Sequence, residues 1–211
     1  MPDPVPPRLR AAILGLLTFV TLAGLLGTAL SPYLLVKNPL LLVVISPAAH
    51  HVALAAASTE PTLLIAVATL RRVLTGLGAY GLGLLYGPAA VSWLEQRHAR
   101  LGRFVRFLER VLARWGVVVL MLAPAPSMAL LAGAARIRLV LFLVAVSIGH
   151  ALWNTLTYYV GDAFARSTDA LTVFLREHLV ESTLACIALV ALQQAYARLR
   201  SKRMPPEQPL E

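Results

Sequence analysis

The sequence predicts an all-α integral membrane protein, with about four full transmembrane helices, two re-entrant or broken-helix elements and an interfacial amphipathic helix. Three observations carry this. The 211 residues are 58% hydrophobic and only 14% charged, whereas a soluble domain carries about 25% charge. The mean hydropathy of +0.73 is concentrated in several long apolar stretches. Of the 19 basic residues, 17 are arginines, sitting mostly between or beyond those stretches. An ordinary cytosolic enzyme, a disordered tail and a fibrous protein are excluded. Residues 1–211 read as a single membrane domain.

The first apolar stretch, Leu9 to Leu30, follows Arg8 and Arg10 and precedes Ser31-Pro32. At 1.5 Å per residue it is about 33 Å of helix, a full span. A cleaved signal peptide competes with that reading, but Thr28-Ala29-Leu30-Ser31 is a poor small-residue cleavage site. Pro39 to Ala57 is also apolar, yet Pro47 and the adjacent His50 and His51 interrupt it. A continuous helix there would lose a backbone bond and expose two imidazoles to lipid, so a broken helix or re-entrant hairpin is expected. Glu60-Pro61, a short apolar piece from Thr62 to Leu70 and the pair Arg71-Arg72 complete that hairpin.

Val73 to Leu94 is the next expected span. Gly76, Gly83 and Gly87 lie close together on one helical face with Tyr80, where a second helix could approach the backbone; glycine as simple lipid-facing tolerance is the competing reading. In Glu95 to Trp115, Arg97, Arg100, Arg103, Arg106, Arg110 and Arg114 recur at three- and four-residue steps opposite an apolar face. That pattern is an interfacial helix whose arginines reach headgroup phosphates.

Gly116 to Ala132 is short and contains Pro124 and Pro126, so it predicts a second broken element, ending at Gly133 and followed by Arg136 and Arg138. Leu139 to Val160 is a full span bearing His150 and Asn154, and Leu179 to Tyr196 is the last one, before the basic tail. Four crossings return the chain to its starting side. The positive-inside rule then places both termini and the arginine-rich helix in the cytoplasm, in a multi-pass cell-membrane protein, and leaves Arg71-Arg72 outside.

Three blocks resemble the DedA family, also called the VTT or SNARE-associated Golgi protein family: Gly76 to Gly87 (GLGAYGLGLLYG), Arg114 to Ile137 (RWGVVVLMLAPAPSMALLAGAARI) and Gly149 to Gly161 (GHALWNTLTYYVG). The similarity covers residues 39–165. It implies two re-entrant elements facing one another, here Ser46 to Ala57 and Ala123 to Gly133, and movement of polyprenyl phosphates or phospholipids across the bilayer. Two departures are visible. His50-His51 stand where the family usually has an acidic residue, with Glu60 displaced. The second element lacks the family's arginines around its proline, the first arginine after it being Arg136.

The expected function is therefore a flippase or scramblase for an anionic lipid such as a polyprenyl phosphate or glycerophospholipid, with a non-transporting role in envelope or membrane-protein assembly as the alternative. His50 and His51 are candidate coupling groups, or structural partners of carbonyls freed by Pro47. Glu60 is a candidate partner of the histidines, or simply ends a hairpin. Arg136 and Arg138 could bracket one phosphate in a turn, or anchor charge beside Gly133. His150 and Asn154, four residues apart, share a face and could satisfy one another or contact substrate. No enzyme is expected, because nucleophile-elbow, phosphate-loop and three-ligand metal patterns are missing from the sequence. Nor is a cofactor or metal. The lone Cys186 can form no intramolecular disulfide. The net charge of +9 suits anionic membrane phospholipids and polyprenyl phosphate as partners rather than nucleic acid; a homo-oligomer remains open.

Overall fold

The computed structural model describes the backbone of residues 6–97 and 99–203; the side chains of 88–106, 108, 109, 113, 165–169 and 200–203 fall outside the described residues. Every described element is helical, and four helices are long and apolar enough to cross a membrane. They are α1 (Pro7–Ala29), the Pro61–Gly87 part of α5 (Pro61–Arg97), α8 (Leu139–Ala163) and the Leu179–Leu199 part of α10 (Leu179–Arg203).

Between α1 and α5 lie three short helices, α2 (Ser31–Lys37), α3 (Pro39–Ile45) and α4 (Ala49–Ala56). Prolines start helices here rather than kink them: Pro7, Pro32, Pro39 and Pro126 all occupy first-turn positions, where the missing N–H would have no intrahelical partner. Asn38 adds a side-chain cap, its Oδ1 accepting from the Leu41 amide at 3.0 Å. Pro47 stands in the gap between α3 and α4 and cannot donate to a continuing helix. The second gap, residues 123–125, separates α6 (Ala99–Leu122) from α7 (Pro126–Ala134).

Two expectations need correction. Thr62 to Leu70 is the first part of a spanning helix, not the return arm of a hairpin, and the second span is Pro61–Gly87, not Val73 to Leu94. Arg71 and Arg72 consequently sit inside a continuous helix, about 15 Å along it from Pro61, and not in an external loop. The charges are tolerated there because the donors of Arg71 and the Nε–H of Arg72 find partners within the protein. The arginine-rich stretch also differs from one straight helix. It runs from the end of α5 into α6, which kinks at Trp115 (φ −123°, ψ 18°) just before Gly116.

Contacts give the directions. Arg71 lies beside Val20, Gly78 beside Leu17 and Gly81 beside Ile13, so α5 is antiparallel to α1. Gly76 meets Phe142 and Val146, Asn154 meets Thr69 and Tyr158 meets Thr59, so α8 is antiparallel to α5. The first broken element therefore enters from the Ala29 side of the bundle and the second from the Pro7 side. Helix α7 runs alongside α5 at near-backbone distance, because a Cβ on Gly83 would strike the Leu130 carbonyl and one on Gly133 the Tyr80 carbonyl. Gly87 meets Ala134, while Gly76 makes only ordinary contact, 3.6 Å to Val146. Tyr80 stacks on Phe142 within this core. Helix α9 (Ala165–Glu177) joins α8 to α10, which packs on α1 and α2 at the periphery.

Candidate functional site

A helix that ends inside a bilayer strands its last carbonyls. Helix α3 ends at Ile45, and its carbonyls are met by a side chain from α5. Arg71 donates Nε–H to the Val44 carbonyl at 3.0 Å and Nη2–H to the Ile45 carbonyl at 3.3 Å. Nη2 also donates to the Val20 carbonyl of α1 at 3.3 Å, and Nη1 to the Thr75 hydroxyl at 3.3 Å. With 8% of its surface exposed, Arg71 ties three helices together. Arg72, one residue on, donates Nε–H to the Pro47 carbonyl at 2.8 Å. A positive group beside the carbonyl end of a helix also complements its dipole.

A further polar group of this break is His51, which is buried. Its Nδ1 lies 2.9 Å from the Ser46 carbonyl; a carbonyl only accepts, so Nδ1 carries the proton. His50 is exposed and meets the His51 ring edge-on at 4.1 Å. The second break uses a different side chain: Trp153 of α8 donates Nε1–H to the Leu122 carbonyl at 2.8 Å. Gly149, a turn earlier, lets α8 approach closely, since a Cβ there would lie 2.6 Å from the Met121 carbonyl.

The two breaks come together. One cavity of about 520 Å³ is lined by Pro47 of the first, by Pro124 and Pro126 of the second, and by Arg71, Arg72 and His150. The α1 face around Gly24 and Thr28 closes one wall. No carboxylate lines the cavity among the described residues. The N-termini of α4 and α7 also open here without side-chain caps, adding two partial positive ends to two guanidiniums. His150 is 7% exposed and its Nδ1 has no hydrogen-bond partner. Asn154, fully buried one turn away, donates Nδ2–H to the Thr69 hydroxyl at 3.0 Å, and its Oδ1 is unpartnered. No hydrogen bond joins His150 to Asn154 among the described residues.

The other sequence candidates lie elsewhere. The Glu60 carboxylate is exposed and caps α5, accepting from the Thr62 amide at 2.9 Å and the Leu63 amide at 2.6 Å. Those amides, Leu63's foremost, hold its carboxyl below the usual range. Arg136 and Arg138 are exposed in the turn between α7 and α8, away from the cavity. Arg110 and Arg114 are exposed on α6. The side chains of Arg97, Arg100, Arg103 and Arg106 lie outside the described residues. No group of three or more potential metal ligands forms among the described residues.

Arg71 and Arg72 are the functional candidates that hydropathy reasoning misses. The available signal was an arginine pair within an apolar helical run of spanning length, since an ionisable residue at membrane depth marks a site by default. Compared with known protein families, curated proteins and solved structures, the chain matches none.

Proposed function

We propose that this multi-span protein carries an anionic lipid across the bilayer, its headgroup passing through the central cavity while its tails stay in hydrocarbon. The observation that carries the proposal is the convergence of two broken helices, entering from opposite sides, on a cavity holding Arg71, Arg72 and His150 with no carboxylate among its described lining. A phosphate there would meet two guanidiniums and two helix N-termini in a medium of low dielectric, where each such contact is stronger than in water. No covalent step is involved, so the protein is not an enzyme in this reading. The resemblance to the DedA family points the same way, although the cations come from a spanning helix rather than from the family's usual positions.

Orientation follows from charge. Arg8 and Arg10 at the start of α1, Arg110 and Arg114 of α6, and Arg136 and Arg138 all belong to the Pro7 side, which the positive-inside rule places in the cytoplasm. With Arg71-Arg72 inside the span, the Ala29 side keeps Lys37 in α2 and Arg166 and Arg176 in α9, fewer than the basic residues of the Pro7 side.

The test is headgroup accessibility in proteoliposomes. Labelled phosphatidylglycerol or polyprenyl phosphate should equilibrate between leaflets faster with the protein than without it, and phosphatidylcholine should gain less. Arg72→Gln, which gives up the hydrogen bond to the Pro47 carbonyl but removes a cavity charge, should abolish most of the gain while leaving the melting temperature within a few degrees. Folded protein that accelerates neither anionic lipid sinks the proposal and favours the assembly role.

A further inference from the structure

A second groove of about 520 Å³ opens on the Pro7 side, between the kink of α6 and the turn joining α7 to α8. It shares no lining residue with the central cavity. Arg114, Arg136 and Arg138 line it, all exposed, and no carboxylate is among its described lining. Trp115, Val117 and Leu141 supply an apolar wall, with Trp115 59% exposed. That wall continues into the exposed Val140 and Val144 of the spanning helix α8, so a cationic rim stands directly above a lipid-facing surface.

The turn that carries two of the arginines is firmly held. The Ile137 amide donates to the Ala132 carbonyl and the Arg136 amide to the Gly133 carbonyl, both at 3.1 Å, the paired bonds of a Schellman cap. The Tyr80 hydroxyl donates to the Ile137 carbonyl at 2.5 Å. Arg136 takes the left-handed position of that cap, with φ 53°, where glycine is the favoured residue. The backbone therefore bears strain to keep a guanidinium at the groove.

We propose that this groove binds the headgroup of an anionic glycerophospholipid from the leaflet on the Pro7 side, its phosphate among Arg114, Arg136 and Arg138 and its upper acyl chains along Trp115, Val117 and Leu141. Charge complementarity selects an anion, and the adjoining apolar wall selects a lipid over a soluble phosphate. The site stands whether or not the central cavity transports. Only its further role, holding lipid before entry, rests on the reading above.

A local reporter tests it. Full-length protein with Cys186→Ser and Leu141→Cys, carrying a bimane at position 141, is placed in bilayers containing chain-brominated phosphatidylglycerol or chain-brominated phosphatidylcholine. Relative affinity from quenching should favour phosphatidylglycerol by about tenfold or more. The combined variant Arg114→Gln, Arg136→Gln and Arg138→Gln should lose that preference, while Arg72→Gln keeps it. Arg136→Gly, which suits the turn, should weaken the preference in a protein that still folds, and it serves if the triple variant does not. Equal quenching by the two lipids, or a preference that survives the triple variant and Arg136→Gly, overturns the proposal. So does displacement by millimolar inorganic phosphate, which would make the groove a soluble-anion site. A transport failure with this preference intact would count against the central cavity alone.

Discussion

Replacing Arg71 by methionine removes the two donors that meet the Val44 and Ile45 carbonyls at the end of α3. Each carbonyl left buried without a partner costs about 1–3 kcal/mol, so the pair costs about 2–6 kcal/mol. Some of this is offset because a buried charge no longer has to be desolvated, and about 4 kcal/mol is the working value. That is a large share of the roughly 5–15 kcal/mol that holds a domain together. At about 2–4 °C per kcal/mol for a chain of this size, the melting temperature should fall by about 8–16 °C. Arg71→Lys should lose about half as much, since an ammonium on a single stem can reach one carbonyl but not span both. Arg72→Met strands only the Pro47 carbonyl and should lose the least. Helical ellipticity followed by circular dichroism on heating in detergent ranks the three. If Arg71→Met melts with the wild type, or if Arg71→Met and Arg72→Met melt together, water already satisfies the α3 carbonyls and Arg71 does not clamp α3.

Three further outcomes follow from the packing. Gly83→Val should destabilise the protein by about 3 kcal/mol, because its Cβ falls on the Leu130 carbonyl and backbone cannot move aside as a flexible side chain can; Gly15→Ala, with nothing within 4 Å, should be neutral or gain up to about 1 kcal/mol from helix propensity, and thermal melts compare them. Glu60 makes its capping contribution as a carboxylate, and its folded pKa lies below the unfolded one. Its contribution is thus complete above the unfolded pKa and is lost as pH falls through the folded value; Glu60→Ala should flatten the acidic limb of a melting-temperature-versus-pH curve, and an unchanged limb would discount the cap. Arg136→Gly should raise stability by about 1 kcal/mol by relieving the left-handed strain, read as an upward shift in melting temperature.

Much of the architecture is legible in the residues, and the failures have a common cause. Proline positions locate both breaks, because a missing N–H and a fixed φ act locally. The glycine spacing in α5 points to a face open to backbone approach, and Gly83 and Gly87 lie against α7 while Gly76 does not come as close. What a local pattern cannot carry is a bond between distant segments. Arg71 reads as the end of an apolar run because its acceptors, Val44 and Ile45, stand 27 and 26 residues earlier in the chain. His50 and His51 look alike in sequence, yet a helical step of about 100° turns one toward the Ser46 carbonyl and leaves the other exposed. The grouping of Arg114 with Arg136 and Arg138 depends on the α6 kink and a left-handed residue, neither of which has a compositional signature.

The opposed breaks also shape the electric field. Half-helices that enter from both sides bring polar backbone ends to one cavity between Pro47 and Pro124, and polar, hydratable groups in place of hydrocarbon thin an insulating layer. A voltage across the protein would then fall more steeply at that cavity than across intact hydrocarbon. Under the transport proposed above, a singly charged headgroup crossing the full potential exchanges about 2.3 kcal/mol with 100 mV, a bias of about fiftyfold in its equilibrium distribution. In a cell whose interior is negative, the transport proposed above carries a voltage bias of anionic headgroups toward the outer leaflet.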